Sequence, residues 1–160
     1  METRAQALQE FYGGPVWKAH RDAANETMID SDNVLLLRPA QPSSGFSIEH
    51  LQRRPRGATE SPRGILVATI CHLEKGESGE KMAESSEERM RSELSKKSAS
   101  LLACFVGEHH PNTFPALPVR EDANVVIWFS MFAERADSSV CPEKTETLRL
   151  QPTPRSRLHG

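Results

Sequence analysis

Much is missing from this 160-residue chain, and each absence narrows what it can be. No run approaches the ~20 consecutive apolar residues of a membrane-crossing helix, and METRAQALQE at the start lacks the apolar core of a secretory signal. Cysteine is scarce: Cys71, Cys104 and Cys141 are odd in number and widely spaced. That pattern fits reduced thiols in the cytoplasm better than a disulfide framework. Aromatic residues are 6% and hydrophobic residues 37%, so the expected core is modest. A formal charge of −2 excludes a general electrostatic pull toward nucleic acid or an anionic membrane, and neither is expected as a partner. No glycine-rich phosphate loop, G-x-S-x-G elbow, H-E-x-x-H or C-x-x-C occurs. No cofactor is expected.

What is present is a set of short apolar runs between turn residues. The strongest is Val125 to Phe132, β-branched and aromatic on both of its alternating faces, which predicts a strand covered on both sides. Trp128, Phe129 and Met131 are too apolar to leave in water. That predicts a dimer or a paired repeat to cover them. Ile65 to Leu73 and Leu101 to Gly107 read as further strands, Val34 to Leu37 as a buried strand, and Leu148 to Leu150 as a short last one. Ala5, Leu8 and Phe11 or Tyr12 predict a first helix, which Gly13-Gly14 ends before Pro15 opens another. On that second helix Trp17, His20, Ala24 and Met28 form one stripe, expected to pack on a sheet. Between Glu74 and Lys97 run seven Glu and six Lys or Arg, with only Met82, Ala83, Met90 and Leu94 as apolar points. A helix is expected there, supported by Glu77–Lys81 and Glu93–Lys97 pairs but weakly docked. Residues 41–64, rich in Pro, Ser and Arg, read as an extended and largely solvated linker.

The expected organisation is therefore a helix–strand piece at 1–40, a linker at 41–64, a second unit at 65–151 and a basic tail at 152–160. The second unit runs strand, helix, strand, strand, uncertain segment, strand, close to the split βαββαβ order.

Three stretches carry a family resemblance: FYGGPVWKAHRDAANETMIDSDNVLLLRP (Phe11–Pro39), NTFPALPVRE followed by NVVIWF, and LRLQPTPRSRL (Leu148–Leu158). In this order they resemble NIPSNAP-family proteins, above all the bacterial two-repeat kind, over about a third of the chain. The resemblance implies an α+β, ferredoxin-like repeat of the dimeric α+β barrel type, preceded by part of a first copy. It implies no catalytic residue set. Met1 falls well inside the family's first repeat, and the segment from Ala133 to Glu146, interrupted by Pro142, is shorter than the family's helix. A shortened two-repeat protein of marginal stability is expected.

The candidate ligand-binding residues are Trp17, His20, Arg21, Asn112 and Arg120. His20 shares the apolar stripe with Trp17 and lies near Arg21, Asp30 and Asp32. A buried His so placed can act as a base, although hydrogen bonding to a backbone carbonyl is the commoner role. Asn112 and Arg120 flank a proline-framed loop, where Arg120 would hold an anion at a cavity rim or else form a plain surface with Glu121. His109-His110 lacks metal spacing, so no metal is expected, and Cys104 reads as core rather than nucleophile. These features favour a non-catalytic binding or assembly module that is a homo-oligomer or has a protein partner. The competing reading is a small oxidoreductase or monooxygenase-like enzyme with a barrel cavity.

Overall fold

The computed structural model describes residues 2–31, 33–60, 63–133 and 145–158, so the Cys141-Pro142 segment lies outside the described residues. The fold is α+β, with three helices and one five-stranded antiparallel sheet among the described residues. Two compact units emerge: Met1–Leu36 with Glu108–Ala123, and Leu37–Gly107 with Asn124–Gly160.

The sheet lies in the second unit. Its strands are β1 (Leu37–Pro39), β2 (Ile65–His72), β3 (Ala99–Gly107), β4 (Val125–Phe132) and β5 (Thr145–Leu150), in the spatial order β1-β3-β4-β2-β5. The central β4 is the doubly apolar run of the sequence. Val125, Val126, Ile127 and Trp128 are all at most 3% exposed. It is antiparallel to β2 from Ile65↔Phe132 to His72↔Val125 and to β3 from Ala99↔Phe132 to Val106↔Val126, with a bulge between Leu101 and Ala103.

One sheet face carries Val67, Cys71, Cys104, Val106, Val126, Trp128 and Phe132, packed with Ala83, Met90 and Leu94 of α3, the helix Gly79–Lys96. The expectation of weak docking is corrected here. Sparse apolar points suffice because they recur as one stripe, and Leu94 is 1% exposed. Gly79 lets the helix start close to the sheet: a Cβ there would meet Val106 Cγ1 at 3.0 Å. The ion pairs also differ from expectation. Glu87–Arg91 (2.7 Å) and Glu93–Lys96 (2.6 Å) form, while Glu77 precedes the helix and accepts the Glu74 N–H.

Across the other face, Phe46 meets Phe129 at 4.9 Å and Phe105 at 5.5 Å between ring centroids. Ser44 places it, donating its hydroxyl to the Cys104 carbonyl (2.9 Å) while its own carbonyl accepts the Cys104 N–H (2.8 Å). Residues 41–60 are mostly exposed, but Phe46 is half-buried against this sheet face. Trp128 and Met131 are buried within the single chain, so their apolarity alone does not require a second copy.

The N-terminal strand is displaced from its expected place. Val34 to Leu36 lie outside any strand, and β1 starts at Leu37. The Val34 and Leu36 carbonyls instead accept the Arg120 and Glu108 N–H groups, which satisfies them without a ladder. β5 begins at Thr145 and is longer than expected. Among the described residues no helix is long and apolar enough to cross a membrane.

Two predictions follow from α3. Its Glu80 lies beside Arg38 of β1, and Ser78 donates to its carboxylate at 2.9 Å. Its own backbone N–H, then the Ser78 hydroxyl, then Arg38 hold the carboxyl down at about 2. Because the folded value is depressed, the stabilisation is present above about pH 4.5 and is lost as pH falls through about 2. Both partners are more than a third exposed, so screening reduces it to about 1 kcal/mol. Urea melts of wild type and Glu80→Gln should differ by that much at pH 6 and converge near pH 2. At the other end of the helix, Ser98 holds φ 52°, a conformation suited to glycine. Ser98→Gly should raise stability by roughly 0.5–1 kcal/mol, measured by chemical denaturation.

Candidate functional site: an aromatic groove

The first unit has no large core. Its helices α1 (Glu2–Gly13) and α2 (Pro15–Asn25) bury no residue, so side-chain stacking and polar contacts must define it. The turn between them is tight. A Cβ on Gly14 would come within 2.8 Å of the Glu10 carbonyl oxygen, so only glycine fits. That turn brings Tyr12 and Trp17 together edge to face, with centroids 4.9 Å apart, and Phe11 packs on Trp17 at 5.4 Å. From the 108–123 segment, Phe114 stacks on Tyr12 at 5.6 Å with only 15° between the planes.

Tyr12, Trp17 and Phe114 line a groove of about 480 Å³ together with Met28, Leu117 and Pro118, and Asn25 and Ser31 add polar atoms. Its lining comes entirely from this unit. The polar brace is Asn112. Its side-chain oxygen accepts from Arg4 (3.0 Å) and from the Phe114 N–H (3.0 Å), and its amide donates to the Leu117 carbonyl (2.9 Å). The Glu121 carboxylate accepts the Asn112 N–H at 2.7 Å. One side chain thus ties α1 to the loop that supplies Phe114, Leu117 and Pro118.

Of the five candidate residues, Trp17 lines the groove and Asn112 builds its wall. His20 and Arg21 are exposed, and Arg21 pairs with the adjacent Asp22 at 3.1 Å. His20 is therefore not the buried histidine of the predicted stripe. Trp17 and Ala24 are half-buried, whereas His20 and Met28 are exposed. Arg120 donates to the Asn33 side chain at 3.3 Å and does not pair with Glu121, which serves Asn112. Asp30 is exposed, and Asp32 lies outside the described residues. Tyr12 and Phe114 were not singled out from the sequence. The cue to them is the Gly13-Gly14 pair, four and three residues before Trp17, and the Asn112-Thr113-Phe114-Pro115 turn.

The titratable candidates elsewhere have structural roles. The Cys104 thiol is pushed up to about 12, chiefly by burial and further by Glu87, so it is protonated at neutral pH. His110 Nδ1 lies 2.5 Å from the Glu108 carboxylate. Among the described residues no group of three or more metal-ligating side chains occurs. No family model matches the sequence, and no curated protein or solved structure matches it.

Asn112→Ala should remove three side-chain hydrogen bonds and free the Phe114 loop. The expected cost is about 1–3 kcal/mol in this unit. It is read as increased acrylamide quenching of Trp17, with Trp128 silent because it is 1% exposed.

Proposed function

We propose that this chain is a NIPSNAP-type binding module, cytoplasmic and non-catalytic, which uses the aromatic groove to hold a segment of a protein partner. The observation that carries the reading is the Tyr12–Trp17–Phe114 cluster, whose rings sit at 4.9 and 5.6 Å around an open groove floored by Leu117 and Pro118. Aromatic-lined grooves suit proline-rich segments, whose extended backbone is pre-ordered and whose rings lie flat on aromatic faces. Asn25 and Ser31 at the groove provide polar atoms for the carbonyls of such a segment.

The fold assignment within this proposal is a ferredoxin-like repeat. Its support is the order β3-β4-β2-β5 with α3 between β2 and β3, which is the strand order of a split βαββαβ unit. The resemblance of Phe11–Pro39, Asn112–Phe129 and Leu148–Leu158 to the family supports the same reading. Homo-oligomer formation belongs to the proposal through that family likeness.

The test is a fluorescence titration with an eight-residue proline peptide. Saturable quenching is expected at micromolar to millimolar peptide. It should be lost in Trp17→Phe and weakened at least tenfold in Tyr12→Ala, with Trp128 emission constant. An unsaturable signal, or one unchanged in Tyr12→Ala, would overturn the reading.

A further inference from the structure

The second unit contains a pocket that neither the family likeness nor the aromatic groove explains. It measures about 360 Å³. Two stretches far apart in the chain build it, and both are rich in arginine. Arg53 comes from the 41–64 segment, while Arg155 and Ser156 come from the C-terminal tail. The floor is apolar: Leu66 of β2, Leu150 at the end of β5, and Leu158. Leu66 and Leu150 are register partners on adjacent strands, so the floor is set by the sheet itself.

The two charged residues of the lining, Arg53 and Arg155, are both cationic. The 41–64 segment carries four arginines against Glu49 and Glu60, and residues 149–158 carry three arginines and no acid. Glu60 accepts from Arg54 at 3.3 Å, which uses that carboxylate on a guanidinium outside the lining. Arg155 spends its Nε on the Arg54 carbonyl at 3.3 Å, one of the five donors a guanidinium has. That bond joins the two basic stretches. Between the lining residues Ser156 and Leu158, the Nε of Arg157 is buried without a hydrogen-bond partner among the described residues, a costly arrangement for a charged group.

Two arginines and three leucines in one lining match one chemistry: an anionic head on an apolar tail. We infer that this pocket binds a small amphiphilic anion, its carboxylate or phosphate held by Arg53 and Arg155 and its hydrocarbon laid on Leu66, Leu150 and Leu158. A guanidinium fork takes either head bidentately. Leu150 is 43% exposed and would be covered by the tail.

Calorimetric titrations of the whole chain with octanoate, octyl phosphate, acetate and octanol test this. Saturable one-to-one binding is expected for octanoate or octyl phosphate, and the tighter of the two identifies the head group. Acetate and octanol should each bind at least tenfold more weakly, because each lacks half of the recognition. Arg53→Gln, at an exposed side chain that makes no hydrogen bond among the described residues, should weaken binding about tenfold with the melting temperature unchanged. Arg56→Gln, outside the lining, should leave it intact. The inference is overturned if neither amphiphile saturates, if octanol binds as well as octanoate, or if Arg53→Gln and Arg56→Gln behave alike.

Discussion

The burial of β4 on both faces is the constraint from which the rest of the sheet follows. A strand with Val, Ile, Trp and Phe on alternating sides cannot lie at an edge or against water, so it must take the centre and have a cover on each side. β2 and β3 supply the ladders, and each pairs along nearly its whole length. Because both run antiparallel to β4, they are parallel to each other, and their link must cross over the sheet. α3 is that link, so the same segment that crosses also covers one face. Its close seating at Gly79 sets Glu80 beside Arg38, which ties the short edge strand β1 to the helix.

The opposite face shows how little cover a narrow sheet needs. Phe46, Phe105 and Phe129 form a three-ring cluster with centroids 4.9–5.7 Å apart, two rings from strands and one from a segment without regular structure. Ala40 extends the pairing of β1 with β3 by donating to the Cys104 carbonyl, and Ser44 anchors the segment of the third ring by accepting the Cys104 N–H.

Sequence reading recovered β2, β3, β4 and the three described helices, from apolar periodicity and from punctuation such as Gly13-Gly14 with Pro15 and the Asp122-Ala123-Asn124 turn, although it missed the N-cap of α3 at Ser78. It failed where composition and placement disagree. Val34 to Leu36 are apolar enough for a strand, but their carbonyls are satisfied by the 108–120 segment, a pairing no local pattern reveals. Phe46 sits alone among serines and prolines, so nothing local shows that a segment read as linker packs a ring on the sheet. The candidate site was half legible. Trp17 and Asn112 stand out as an aromatic and a turn former, but their common purpose depends on Tyr12 and Phe114 meeting across 102 residues, which a single sequence does not show.

The split make-up of the first unit bears on the order in which the protein can be built. Residues 1–36 and 108–123 belong together, and the whole of α3 and three strands are synthesised between them. At roughly 5–20 residues per second, the 87 residues from 37 to 123 take roughly 4–17 s to emerge. For that interval Tyr12 lacks its stacking partner Phe114, and Arg4 lacks Asn112. The helices made before the sheet are thus completed late, after the strand that precedes their missing wall has been made.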